Sequence, residues 1–206
     1  QKWPCCSGTF PQITADYGIS SYFATPRGLA VNLYHPSRVS WKQGGSNVTL
    51  TQSTSYPNNG DISLALACER SVKFPLALRV PAWAGPKTRV LVNGRTVPHV
   101  SIQPGTWLTL DREWRNGDRV ELTLDIPLRL VPLDPAHPDL VALVAGPRTL
   151  FTILPAPDRI TKQQLLAAER ISSNAAEWRI NTSAEPLRAV PYTAIKDEQY
   201  RLYHET

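Results

Sequence analysis

From residue 21 onward, hydrophobic and polar positions along the chain alternate with a period of about two. The alternation is clearest over residues 62–69, 74–81 and 119–126. Successive side chains of a β-strand point to opposite faces, so this pattern predicts strands with one buried face. Turn residues separate the strands, and Asn93-Gly94 is the strongest hairpin signal among them. The chain is therefore predicted to be mainly β, an antiparallel β-sandwich of the jelly-roll type.

The last quarter of the chain is less regular. Two near-continuous apolar runs, Leu140 to Ala145 and Thr149 to Leu154, predict buried strands. Residues 161–170 contain helix formers behind a candidate cap, and residues 192–195 are predicted to be a closing strand. We therefore assign residues 21–206 to one β-sandwich region with a less regular C-terminal extension.

The first 20 residues follow a helical period instead. Four positions with spacing i, i+3, i+4 and i+7 line one face: Phe10, Ile13, Thr14 and Tyr17. Thr9 is the candidate N-cap and Gly18 the candidate stop, so Cys5 and Cys6 are predicted to lie just ahead of the helix. A short amphipathic helix without a helical partner suggests that its partners lie upstream. Residues 1–20 are therefore predicted to be the terminal helical segment of a missing N-terminal domain.

Composition excludes several classes of partner. The 206 residues are 42% hydrophobic and 19% charged, which is typical of a soluble globular protein. The net charge of +5 comes from singly scattered Arg and Lys, so no nucleic-acid partner is predicted. The most apolar stretch, Asp139 to Leu154, is too short to span a bilayer, so no membrane partner is predicted. The chain contains no methionine, which favours a piece of a longer chain.

The three cysteines cannot close a full set of disulfides, and adjacent cysteines rarely bridge each other. This usage favours reduced thiols or metal ligation, and hence the cytoplasm; a secreted or periplasmic location stays open. Cys68 shares the buried face of its predicted strand with Leu64 and Leu66, which indicates a core thiol.

The adjacent residues Cys5 and Cys6 are the candidate reactive groups. A helix N-terminus stabilises a nearby thiolate, and two adjacent thiolates can both reach one Zn²⁺ if other ligands complete the tetrahedron. Taken alone, the pair favours buried or incidental thiols over a working site. Zinc-finger spacings, phosphate-binding loops and serine-hydrolase elbows do not match the sequence. The four histidines, His35, His99, His137 and His204, are isolated and are predicted at the surface or in turns.

The cysteine pair belongs to a longer pattern, however. Trp3-Pro4-Cys5-Cys6-Ser7-Gly8-Thr9-Phe10-Pro11-Gln12 resembles a motif of the β-L-arabinofuranosidase-like glycosidases, glycoside hydrolase family 127 and its relatives. Further segments that resemble this family follow in the family's order: residues 31–37, residues 74–83 with Val92-Asn93-Gly94, and residues 141–147.

The resemblance implies both an architecture and an activity. In this family an N-terminal (α/α)6 barrel precedes β-sandwich domains, so the helix of residues 1–20 would be left over from that barrel. The first cysteine of the pair is the nucleophile and a zinc ligand, and the second is a zinc ligand. These roles fall on Cys5 and Cys6, with Zn as the cofactor and a glycoside or oligosaccharide as the substrate. The barrel of the same chain would be the remaining partner.

The family's other zinc ligands and its acid/base lie upstream of this segment. The resemblance therefore implies a retaining glycosidase as the longer parent and an inactive piece in isolation. The sequence Cys-Cys-Ser-Gly-Thr departs from the Cys-Cys-Pro-Pro of other members, which leaves the sugar undefined. The alternative is a non-catalytic carbohydrate-binding or structural β-sandwich module. Its candidate sugar-stacking residues are Trp41, Trp83, Trp107 and Trp114, although core packing is the favoured role for each.

Overall fold

The computed structural model describes residues 4–171, 176–183 and 185–206, with the backbone alone for residues 4–8 and 10. The chain begins with helix α1, Pro4–Ile19. The predicted start at Thr9 is therefore wrong, and Cys5 and Cys6 lie inside the first turn. Proline suits the first helical position, because its fixed φ is helical and its missing N–H would have no partner there. None of the described helices is long and apolar enough to cross a membrane.

Contacts divide the chain into two units. Unit 1 comprises Gln1–Tyr56 and Gly60–Asp125, and unit 2 comprises Pro57–Asn59 and Ile126–Thr206. Both are built mainly from antiparallel strands, which confirms the predicted mainly β class.

Unit 1 is a sandwich of two sheets. The four-stranded sheet has the order β1-β2-β6-β9, with strands Tyr22–Ala24, Leu29–Val31, Val72–Arg79 and Trp107–Trp114. The six-stranded sheet has the order β3-β4-β5-β10-β7-β8, with strands Ser37–Gln43, Ser46–Thr54, Asp61–Cys68, Arg119–Thr123, Arg89–Val92 and Arg95–Thr96.

The two sheets of unit 1 share one hydrophobic core. Burial alternates along their strands, as in β5, so that one side chain in two faces inward. Phe74, Leu76 and Trp114 enter the core from the four-stranded sheet, and Leu50 and Leu64 from the six-stranded sheet. The shared core confirms the β-sandwich that the period-two pattern predicts.

Local signals place the turns of unit 1. Asn93 and Gly94 have φ of 53° and 73° and join β7 to β8, which is the backbone that a tight hairpin turn requires. One pairing does not follow the antiparallel rule: β2 runs parallel to β6, with Leu29 opposite Leu76. Gly28 precedes this pair, and a Cβ there would lie 2.0 Å from the Pro75 carbonyl oxygen.

The described residues of unit 2 form one sheet. Its main order is β11-β12-β13-β16-β15-β14, with strands Leu128–Pro132, Leu140–Ala145, Arg148–Ile153, Leu187–Pro191, Trp178–Ile180 and Glu169–Arg170. Two short strands extend it: β17, Tyr200–Arg201, pairs with β13, and β18, Tyr203–Glu205, pairs with β12. The predicted strand at 192–195 is wrong, because Tyr192–Ala194 form a 3-10 helix directly after β16.

The core of unit 2 lies against one face of this sheet. Leu143, Leu150, Trp178 and Ile180 line it, and Leu165 of helix α2, Lys162–Leu166, closes it. The helix is shorter than the predicted 161–170. Thr161 caps it as predicted and forms a capping box with Gln164.

Candidate functional site

The backbone places Cys5 and Cys6 in the first turn of α1. Their side chains lie outside the part of the chain that the structure describes. The N–H groups of a first helical turn lack intrahelical partners, and together with the helix dipole they stabilise a nearby thiolate. The helix therefore provides a setting that favours reactive thiolates at these two positions.

Helix α1 is fastened to the sandwich at its C-terminal end. The Ser21 hydroxyl donates to the Tyr17 carbonyl oxygen over 2.7 Å, and the Asn32 side chain donates to the Ser20 carbonyl oxygen over 2.9 Å. Along the rest of the helix, Ile13 and Tyr17 are 54% and 65% exposed. Together with Leu33 they line a shallow depression of about 250 Å³. The helix thus presents apolar side chains next to the motif that carries the thiols.

The contact between Ser21 and His35 is not a catalytic pair. Ser21 Oγ lies 2.7 Å from His35 Nε2, but the single hydroxyl hydrogen already points at the Tyr17 carbonyl. Ser21 must therefore accept a hydrogen bond from Nε2–H, and His35 has no lone pair on that nitrogen with which to take a proton. A serine nucleophile activated by histidine is excluded at this position, in agreement with the sequence.

Beneath this junction lies a buried polar cluster centred on Gln52, which is 2% exposed. Its side-chain nitrogen donates to Tyr22 Oη over 2.7 Å and to the Leu33 carbonyl oxygen over 3.1 Å. Its Oε1 has no hydrogen-bond partner among the described residues. Through these hydrogen bonds the cluster holds the start of β1 and the residues after β2 in place, next to the C-terminal end of α1. Its role is structural.

Cys68 is a core thiol, as the alternation predicts. Its side chain is 6% exposed on β5, within the core of unit 1. Burial raises the pKa of this thiol, and the nearby Asp118 raises it further. A thiol with a raised pKa is a poor nucleophile, so Cys68 is chemically unlike a thiol at a helix N-terminus.

The histidines do not form a ligand set. The described residues contain no group of three or more His, Cys, Asp or Glu side chains close enough to hold a metal. His137 Nδ1 lies 2.8 Å from Asp134 at the surface, as predicted for an isolated histidine. The prediction of a surface or turn position is wrong for His204, which is fully buried in unit 2 and hydrogen-bonded to Thr152. A single histidine near a chain end carries no sequence signal of burial.

The four candidate tryptophans separate into core and surface. Trp114 is fully buried, and its Nε1 donates to the Phe74 carbonyl oxygen over 2.9 Å. Trp41 packs edge-on against Phe74, and Trp83 stacks on Tyr56 at an angle of 11°. Trp107 is 44% exposed. Core packing thus accounts for three of the four, and Trp107 alone among them offers a large part of its ring to solvent.

Sequence reasoning missed a group on unit 2. Phe151, Tyr192 and Tyr200 come together there, on the face of the sheet that also carries Arg188 with its two carboxylate partners. These residues are spread over β13, β16, the residue before β15 and the last 15 residues of the chain, so no local motif marks them. Their proximity could be predicted only from the strand pairing of unit 2.

Residues 28–126 match the sequence model of the middle domain of GH127 β-L-arabinofuranosidases. The matched range ends one residue after Asp125, the last residue of unit 1. A search of curated proteins found no match.

Solved structures match over nearly the whole chain. A GH127 β-L-arabinofuranosidase from Geobacillus stearothermophilus T6 has a TM-score of 0.78 and 24% identity, covering 100% of this chain and 38% of its own. A glycoside hydrolase has a TM-score of 0.74 and 22% identity, covering 98% and 39%. A GH127 β-arabinofuranosidase has a TM-score of 0.63 and 22% identity, covering 90% and 36%.

The chain therefore spans less than two fifths of the length of these solved chains. At such identities the structural matches establish a common fold. The chain thus has the fold of one part of these longer solved chains, and its residues 28–126 are similar to the GH127 middle domain.

Proposed function

We propose that this chain is the C-terminal portion of a retaining glycosidase similar to the β-L-arabinofuranosidases, with Cys5 as the nucleophile. The GH127 middle-domain match over residues 28–126 carries this proposal, because it lies shortly after the cysteine motif of residues 3–12 in the chain. The position of both cysteines in the first turn of α1 supports it further, since a helix N-terminus favours thiolates.

The donor chemistry of the pair fits zinc. Thiolates are preferred zinc ligands, and Cys5 and Cys6 would supply two of the four positions of a tetrahedral site. Two further ligands would have to come from outside the described residues, among which no metal-binding group of three forms. Zinc, when bound, would hold the Cys5 thiol in its deprotonated form.

The proposed chemistry is a double displacement at the anomeric carbon. The Cys5 thiolate attacks this carbon, a C–S bond forms, and the C–O bond to the leaving group breaks as an acid protonates the departing oxygen. Water then attacks the same carbon from the side opposite to sulfur, and the conjugate base of that acid takes the proton of the water, so that the C–S bond breaks and the thiolate returns. Two inversions give net retention, the outcome that paired carboxylates achieve in other glycosidases.

On this proposal the chain by itself is inactive. Two adjacent thiolates cannot close a tetrahedral zinc site, and the acid that protonates the leaving group is expected from the upstream part of the longer protein. The isolated chain should therefore bind zinc weakly and release no sugar from an aryl arabinofuranoside. Tight binding of one zinc per chain, measured by titration against a chelator, would contradict the incomplete site.

The nucleophile assignment is tested in the longer protein. Cys5→Ser should lower turnover of an aryl arabinofuranoside by at least about 10³-fold, because an alkoxide is not available at neutral pH. Cys68→Ser is the matched control, since it changes a thiol of the unit 1 core and should keep turnover in the folded fraction. Equal activity of the Cys5→Ser protein and the parent would remove the assignment.

The alternative, a non-catalytic sugar-binding sandwich, has one specific observation in its favour. Trp107 is 44% exposed on β9, whereas Trp114 is buried in the core of unit 1 and the partly buried Trp41 and Trp83 pack against that core. On this alternative, Trp107→Ala would abolish sugar binding by the isolated chain. Unchanged sugar binding by the Trp107→Ala chain would contradict the role of Trp107 as the sugar-stacking residue.

A further inference from the structure

Unit 2 carries an aromatic group at its surface, here named the tyrosine cluster: Phe151, Tyr192 and Tyr200. Phe151 and Tyr200 meet edge to face at 5.3 Å between ring centroids, and Tyr192 and Tyr200 meet at 6.4 Å and 89°. Phe151 and Tyr192 lie 5.8 Å apart. Each ring thus contacts both others, which restricts the rotation of all three.

The two tyrosines are nevertheless open to solvent. Tyr192 is 64% exposed and Tyr200 is 45% exposed, while Phe151 is half-buried beneath them. Within the described residues, neither tyrosine hydroxyl makes a hydrogen bond to another protein group. A core cluster would bury these rings, and a purely structural surface pair would gain little from staying exposed. The ring contacts therefore fix the orientation of the two tyrosines and leave large parts of their rings exposed to solvent.

Arg188 lies on the same face of the sheet. Phe151 pairs with Val190 across β13 and β16, so Arg188, two residues before Val190, projects to the same side as Phe151. Tyr200 pairs with Ile153, which is also on that side. The opposite face carries Leu187 and Ala189, which belong to the core of unit 2.

The guanidinium of Arg188 is held between two carboxylates. Its Nε donates to Glu177 over 2.8 Å and its Nη1 donates to Glu198 over 3.1 Å. These hydrogen bonds raise the pKa of Arg188, that to Glu177 most, so the cation persists at any working pH. The three side chains are 30–41% exposed and therefore still reachable by a ligand. The group presents donors and acceptors side by side in fixed positions.

We propose that the tyrosine cluster and Arg188 with its two glutamates form a binding site for a neutral oligosaccharide. A sugar ring has an apolar C–H face, which stacks on an exposed aromatic ring, and hydroxyl groups, which need adjacent donors and acceptors. Both kinds of surface are present on one face of the sheet of unit 2. Two carboxylates against one guanidinium leave a net negative charge, which disfavours uronate chains and phosphates.

This site shares the substrate class of the proposed function but none of its catalytic groups. It would hold a glycan chain on unit 2 and would not take part in bond cleavage. Loss of the site should therefore reduce retention on a polymeric glycan, and it should leave the turnover of a small aryl glycoside unchanged. Conversely, Cys5→Ser should leave the glycan affinity of the chain intact.

The test is a titration of the chain with arabino-oligosaccharides and xylo-oligosaccharides. Calorimetry and NMR of the sugar protons measure the binding. We expect saturable binding in the millimolar range or tighter, weakened about tenfold or more by Tyr200→Ala and by Tyr192→Ala. Tyr200→Phe keeps the ring and should change the affinity less than Tyr200→Ala. Galacturonic acid oligomers should not bind.

Phe23→Ala is the matched control, because it removes a 46% exposed aromatic ring from unit 1. Thermal unfolding of each variant shows that it is folded; if Tyr200→Ala is not, Tyr192→Ala carries the test because that residue is the more exposed. Three results would overturn the proposal: no binding of any neutral oligomer, unchanged affinity in both tyrosine variants, or a loss that only Trp107→Ala produces.

Discussion

Unit 1 encloses its apolar side chains between two sheets, whereas unit 2 has a single sheet whose core is closed in part by the five-residue helix α2. The strands of unit 1 that bound its core are up to nine residues long. In unit 2, several strands are two or three residues long. The core of unit 1 is therefore built from long strands in which buried and exposed side chains alternate. The core of unit 2 is built from shorter strands with less regular contacts.

The two units also differ in the chemistry of one polar side chain that each of them buries, Gln52 in unit 1 and His204 in unit 2. Unit 1 buries Gln52, whose amide does not titrate. Unit 2 buries His204, which contacts Thr152 Oγ1 over 3.0 Å, while its Nδ1 has no partner among the described residues. An unpaired lone pair costs less than an unpaired N–H, so the neutral ring should carry its hydrogen on Nε2. A core that needs a neutral histidine is sensitive to acid in a way that an amide cluster is not.

The largest expected effect concerns the sandwich core. Trp114→Ala should lower the free energy of unfolding by about 3–5 kcal/mol, because it empties the volume of a fully buried indole. It also takes a donor from the Phe74 carbonyl oxygen. Urea denaturation followed by circular dichroism measures the change.

Trp107→Ala on the same strand is the control for this prediction. Its ring is 44% exposed, so the loss should be below about 1 kcal/mol. Similar losses for the two substitutions would mean that the shared core is not what stabilises unit 1.

The second prediction concerns pH and unit 2. Burial, with a smaller contribution from the Arg201 charge, lowers the pKa of His204 to about 4. In the unfolded chain this pKa is about 6.5, so between these values the unfolded state binds more protons than the folded state. Stability should therefore fall as the pH drops from 6.5 to 4, by about 3 kcal/mol from this residue. It should not change through this residue above that range.

Denaturation curves recorded between pH 7 and pH 4.5 test this dependence. His204→Gln should be less stable at pH 7 and should have a flatter profile. His137→Gln changes an exposed histidine of the same unit and should keep the slope of the parent. If the His204→Gln profile is as steep as that of the parent, carboxylates rather than this imidazole cause the acid sensitivity.

The smallest effect is expected at helix α2. Thr161 accepts a hydrogen bond from the Gln164 backbone N–H and completes a capping box, so Thr161→Ala should cost about 1 kcal/mol. The loss should appear as a lower melting temperature. Thr161→Ser keeps the hydroxyl and should be close to neutral. If Thr161→Ala is neutral as well, α2 is held by Leu165 alone and the cap adds nothing to unit 2.

The difference between the units also explains what the sequence could predict. Alternation along β4, β5, β6 and β10 marks strands with one buried face, and Asn93-Gly94 marks its hairpin directly. Strands of two residues such as β14 and β17 have too few positions for a period to show. The parallel partner of β2 lies 47 residues further along the chain, so packing selects it and no local signal marks it.

The candidate site divides in the same way. Cys5 and Cys6 are adjacent and stand out in the sequence, although their side chains lie outside the described residues, so their roles stay predictions. The sequence pattern predicts the helix start at Thr9, but the helix begins at Pro4, because proline is well suited to the first helical position. The tyrosine cluster and His204 arise from strand pairing over long distances in the sequence, and a local pattern could not reveal them.

The parallel pairing of β2 with β6 has a consequence for the order in which unit 1 folds. The hairpin of β1 and β2 closes locally, but the other edge of β2 must wait for β6, whose residues 76–78 come much later in the chain. Ordering the long intervening segment costs entropy before the contact stabilises anything. During synthesis this hairpin would therefore stay incomplete until β6 has emerged, and the sandwich should fold on the slow timescale of proteins rich in non-local pairings.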